Sequence, residues 1–115
     1  MLSLVVFLYL IKIYEGVYML INIIFDYYAD IVSVPDYIGI DLLKYQNKCD
    51  QWLFDKTNEH EFWEKDDSGK KLGVGICSEA FIYWINKFIL KDSEEKAYIV
   101  KRNINENNNY PSIYY

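Results

Sequence analysis

A chain of 115 residues, 52% hydrophobic and 18% aromatic, with a formal net charge of -5, has the size of one domain. Its apolar fraction excludes intrinsic disorder, its two cysteines exclude a disulfide scaffold, and its five glycines and two prolines exclude a fibre or linker protein. The acid excess comes without a basic stripe, so no nucleic-acid partner is expected; such a surface repels phosphates.

The aromatic excess has a plain component. There are 12 Tyr, 15 Ile and 9 Asn, and 11 of the 12 basic residues are Lys, Arg102 being the one arginine. That profile follows from AT-rich codons, so tyrosine enrichment is not by itself the mark of an interface.

Residues 1–18 read as a hydrophobic N-terminal extension. Met1 to Ile11 is apolar except for Ser3, and Lys12 and Glu15 then interrupt the run. It lacks the basic leader and small-residue cleavage site of a signal peptide and is short for a membrane span. Three readings stay open: a dispensable extension ahead of a start at Met19, a membrane anchor, and an integral strand or helix. The domain proper is expected over 19–103, with 104–115 a loose polar tail.

From Leu20 to Val34 the odd positions Ile21, Ile23, Phe25, Tyr27, Ala29 and Ile31 are apolar, which predicts one half-buried strand ending at Pro35. Ile38, Leu42, Tyr45, Cys49, Trp52 and Leu53 recur at helical spacing, so a helix is expected between Pro35 and Lys56, with Gly39 unsettling its first turn. Glu61 to Cys77 reads as a hairpin whose turn is Asp66-Asp67-Ser68-Gly69. Ser78 is expected to cap a second helix that carries Phe81, Trp84, Ile85, Phe88 and Ile89 on one stripe. A last strand follows at Ala97 to Val100. The order β-α-β-β-α-β predicts an α+β single-domain two-layer sandwich of the ferredoxin-like kind. It would have a four-stranded antiparallel sheet with two helices on one face.

No catalytic fingerprint emerges, and no catalytic residue, metal site or cofactor is expected. His60, among Glu59, Glu61 and Glu64, has no recognised metal spacing and reads as a solvated residue at a strand start. Cys49 lies on the apolar helical stripe as a buried thiol. Cys77, just before a helix, is a weak candidate for reactivity. Gly73-Val74-Gly75 resembles half of a phosphate loop, but apolar alternation runs through it, so both glycines read as strand residues.

With Leu72, Val74 and Ile76 facing the helices, Gly73 and Gly75 would lie on an open sheet face beside Asp26, Tyr28 and Asp30. Asp55 to Asp67 contains six acids interleaved with Phe62 and Trp63. Glu61, Trp63 and Glu64 from this run join Asp26, Tyr28, Asp30, Gly73 and Gly75 as candidate partner-binding residues. The expected function is a small acidic non-catalytic protein-binding module with a basic protein partner, in its narrowest form an immunity-type inhibitor of a basic toxin or nuclease. The alternatives are a small-molecule-binding or regulatory domain that uses the open sheet face, homodimeric through it, and a membrane-anchored small protein. A cytoplasmic location goes with the first reading; membrane association rests on residues 1–18 alone.

Overall fold

The computed structural model describes residues 17–105 and 107–115. The expectations for residues 1–16 lie outside them. Among the described residues no helix is long and apolar enough to cross a membrane. The chain forms an α+β domain in the order β1 (Tyr18–Ile24), β2 (Ala29–Pro35), α1 (Asp36–Ile40), α2 (Leu42–Leu53), β3 (Trp63–Lys65), β4 (Lys71–Val74), α3 (Ser78–Trp84), β5 (Tyr98–Ile104) and β6 (Ser112–Tyr114).

The single strand expected from Leu20 to Val34 is two. It turns back at Phe25–Tyr28, where the Phe25 amide donates to the Tyr28 carbonyl at 2.8 Å and the two rings stack with centroids 4.9 Å apart. The turn was hidden because it contains no glycine or proline. It also reverses the phase of the alternation. Ile21 pairs with Val32 and Ile23 with Asp30, so odd residues of β1 share a face with even residues of β2. Ile21, Ile23, Val32 and Val34 therefore enter the core together, and Asp30 joins their face.

The main sheet has the order β5-β2-β1-β6. β1–β2 and β2–β5 are antiparallel, but β6 runs parallel to β1, so the sheet is mixed and not the fully antiparallel one expected. The hairpin β3–β4 does form, but as a separate two-stranded sheet. The ferredoxin-like arrangement needs that hairpin in the main sheet; its places are taken by β2 and β6. Residues 112–115 are thus structural and not loose. Ile113 is buried in the core, and the Tyr115 hydroxyl donates to Asp50 Oδ1 at 2.9 Å. Within the stretch assigned to the extension, Tyr18 opens β1, and the Val17 carbonyl accepts from the Asp36 amide at 2.8 Å.

The helical stripe between Pro35 and Lys56 is real but broken at Asp41. Ile38, Leu42, Cys49 and Leu53 are buried, while Tyr45 and Trp52 pack against the core from its margin. A Cβ on Gly39 would run into the Met19 side chain, so the glycine leaves room for that side chain where α1 passes β1. Phe81, Trp84 and Ile85 complete the core from the other helix. That helix widens at its end into a π turn over Ile85–Ile89, in which the Leu90 amide donates to the Ile85 carbonyl at 2.8 Å. Ser78 does not cap it. Its hydroxyl donates instead to the Asp30 carboxylate at 2.6 Å, across the gap to β2.

Candidate functional site

One groove, of about 370 Å³, lies where three elements meet. Glu61 and Phe62 line it from the approach to β3; Glu79, Ile82 and Tyr83 from α3; Ala97, Tyr98, Ile99 and Arg102 from the β5 segment. Each wall is held by identifiable chemistry. The Gly75 amide donates to the Phe62 carbonyl at 2.8 Å, and the Phe62 and Tyr83 rings meet edge to face at 5.8 Å. The Asn86 side chain bonds both backbone polar groups of Ala97, donating to its carbonyl at 3.0 Å and accepting from its amide at 2.8 Å. That pair fixes where β5 starts relative to the helix. Further along, Ile31 pairs with Lys101 and Ala29 with Ile104, so β5 carries a bulge there. Asn103 takes the left-handed conformation in the bulge (φ 55°), and its amide donates to Asp30 Oδ1 at 3.0 Å. Asparagine tolerates that conformation better than most residues.

The electrostatics of the groove centre on Glu79. Burial would raise its carboxyl, but hydrogen bonds from its own amide, the Arg102 guanidinium and the Cys77 thiol outweigh burial and hold it below the ordinary glutamate range. Arg102 and Glu79 form an ion pair with both side chains about half exposed. Asp30 is 3% exposed, satisfied by Ser78 and Asn103, and its charge acts on Arg102 as well. Glu61 is exposed and makes no ion pair with the described residues. Tyr98, 57% exposed, forms an apolar rim. The groove therefore combines aromatic walls with two carboxylates and one guanidinium that is only loosely committed.

The structure scatters the eight residues singled out from sequence. Glu61 alone lines the groove. Trp63 is buried, with its indole N–H donating to the Asn58 carbonyl at 2.8 Å and Lys71 over its ring; its neighbour Phe62 is the aromatic that reaches the groove. Asp26 and Tyr28 sit at the β1–β2 turn beside a separate depression of about 310 Å³, which they share with Tyr27, Ile104 and Asn105. Asp30 is on the helix-covered face, not an open one, because of the phase reversal across that turn. Gly73 and Gly75 belong to the separate hairpin, so they do not stand beside Asp26, Tyr28 and Asp30. Space is open at Gly73, whereas Gly75 packs against Glu64 and the Phe62 carbonyl. Leu72, expected against the helices, is 64% exposed; Val74 and Ile76 do pack on the core.

Much of the acidic run between Asp55 and Asp67 serves local structure. Asp55 holds the Thr57 amide and hydroxyl. Asp66 Oδ1 accepts from the Ser68 amide, the Ser68 hydroxyl and the Lys70 amide, and Glu59 pairs with Lys65 and Lys71.

His60 is not simply solvated. Its Nε2 donates to the Leu53 carbonyl at 2.8 Å and its Nδ1 accepts from the Phe62 amide at 3.2 Å, while the ring stacks on Trp63 with centroids 4.8 Å apart. Both nitrogens are occupied, which makes the histidine a brace between α2 and the hairpin. Burial pushes both cysteine thiols up from their ordinary value, Cys49 far more than Cys77, and at Cys77 the Ala80 amide opposes the rise. That is the reverse of an activated thiolate. Among the described residues no group of three His, Cys, Asp or Glu side chains is placed to hold a metal ion.

Sequence reasoning missed Phe62, Glu79, Tyr83, Tyr98 and Arg102 as groove residues. The one available signal was Arg102, a lone arginine in a lysine-rich chain. Comparison with family models, with curated proteins and with solved structures finds no match.

Proposed function

We propose that this chain is a non-catalytic protein-binding module, and that the groove between the hairpin, α3 and β5 receives a basic segment of its partner. The observation that carries this reading is the groove itself: apolar and aromatic walls with Glu61 and Glu79 on its surface, in a chain whose net charge is -5. Opposite charge speeds encounter, and aromatic side chains at the centre of a patch supply affinity. The guarded edge of β5 favours docking by side chains over strand addition. Its bulges at Val100 and Asn103, with Lys101 and Arg102 alongside, are the features that discourage edge pairing. The immunity-type inhibitor of a basic toxin or nuclease is the narrowest form of this reading and rests on size and charge. A volume of about 370 Å³ also falls in the range of small-ligand sites, which supports a small-molecule-binding domain as the second reading, now at this groove and not at an open sheet face.

The test is co-purification with the tagged full chain at low salt. A basic protein retained by the wild type, and lost with Glu61→Lys or Tyr98→Ala, is the expected result. Retention that is indifferent to both substitutions sinks the proposal.

A further inference from the structure

The groove already binds a cation, and that cation is its own. Arg102 lies on Glu79 beside the aromatic wall, and the pair is open to solvent on both sides. Resting on the binding reading above, we infer that the groove recognises an arginine side chain of the partner, which takes the place of Arg102 on Glu79.

Three features select arginine. The Glu79 carboxylate lines the groove and already accepts a guanidinium, that of Arg102, so it presents an acceptor to an incoming fork of donors. Phe62, Tyr83 and Tyr98 line the groove, Tyr98 more than half exposed, and aromatic surface suits a planar guanidinium better than a compact ammonium. Glu61, with no ion pair among the described residues, adds a second negative charge on the same groove. Arg102 is the component free to leave. Its pairing with Glu79 is solvent-exposed, and exposed ion pairs hold weakly. Arg102 then acts as an internal competitor: it keeps Glu79 neutralised in the free protein and swings out when the partner's arginine enters.

The experiment titrates the full chain with a short blocked peptide carrying one arginine next to an aromatic residue, followed by amide NMR shifts at low salt. The same peptide with citrulline in place of arginine is the control. The arginine peptide should shift the Glu79, Tyr83 and Arg102 amides, and the citrulline peptide should not. Removing the competitor with Arg102→Gln should tighten binding by up to about fivefold, the worth of an exposed ion pair. Glu79→Gln should weaken it by about tenfold. Equal binding of the citrulline peptide, or an Arg102→Gln variant that binds no tighter, overturns the inference. If co-purification retains a partner that Tyr98→Ala loses but Glu79→Gln and Arg102→Gln do not disturb, the arginine inference fails and the binding reading stands. If the arginine peptide binds as expected while no protein is retained, the groove chemistry stands and the protein-partner reading fails.

Discussion

The described residues build two antiparallel hairpins, and they are held by opposite means. β1–β2 lies at the centre of the main sheet with a strand on each flank, and its residues Ile21, Ile23, Val32 and Val34 are fully buried. Its turn has little chemistry of its own beyond one backbone hydrogen bond and the Phe25–Tyr28 stack. β3–β4 is short and peripheral, and its strand residues are mostly exposed or half-buried. Its turn is dense with local bonds: Asp66 accepts three, and Gly69 takes φ 87°. Burial shapes the first hairpin and turn chemistry the second. The groove sits where the second hairpin meets α3 and the β5 segment, so one of its walls adjoins the less buried hairpin.

That contrast can be broken by mutation. Ile23→Ala should cost about 2–5 kcal/mol and lower the whole unfolding transition, as deletion from a packed core does. Ile113→Ala should do the same at the lower end, about 2 kcal/mol, in a denaturant melt; a negligible loss would return the C-terminal segment to the status of a tail. Tyr28→Ala should cost about 1 kcal/mol by removing the ring stack that closes the first turn. Gly69→Ala should cost about 1 kcal/mol, since a Cβ is penalised in the left-handed region. Its effect should be confined to residues 63–74 in amide exchange, and loss of protection in β1 and β2 would show that the hairpins are one cooperative unit.

The mildest probe is acid. Hydrogen bonding holds the carboxyl of Asp66 below its ordinary value, that of Asp55 likewise, and the Lys71 contact does the same for Glu59. A carboxyl lowered by folding contributes stability that is present above its unfolded value and lost as pH falls through the folded one. The hairpin amides should therefore shift and lose protection only below the ordinary glutamate and aspartate values of 4.5 and 3.8, before the central sheet does. The Arg102–Glu79 pair should open in the same direction, since Glu79 is also lowered.

Legibility in the sequence followed the same division. The Asp66–Gly69 turn was readable because its chemistry is local, and so was the stripe Ile38, Leu42, Cys49 and Leu53, because helical spacing is a property of neighbours. The turn at Phe25–Tyr28 was not, since nothing in its four residues demands a reversal. Missing it put Asp30 on the wrong face. Trp63 and Phe62 were interchangeable in the sequence; in the fold Trp63 is buried, with its indole bonded to Asn58 and its ring against His60 and Lys71, while Phe62 packs at the core margin and lines the groove. The short strand Ser112–Tyr114 carries too few residues to show a period, and it is ordered by β1 and by Asp50 from far away in the chain.

Residue order and elementary chemistry were enough to settle that this is an acidic α+β domain with two amphipathic helical segments and a tight polar hairpin. Those properties arise within a turn or two of chain. Strand partners, the parallel pairing of β6, the phase across the first turn and the groove itself depend on contacts between distant segments. Arg102 and Glu79 lie 23 positions apart, Asp30 and Ser78 lie 48 apart, and Asn22 and Ser112 lie 90 apart. No local pattern encodes such meetings; they follow from which arrangement of faces buries the most apolar surface while leaving the fewest polar groups unpaired.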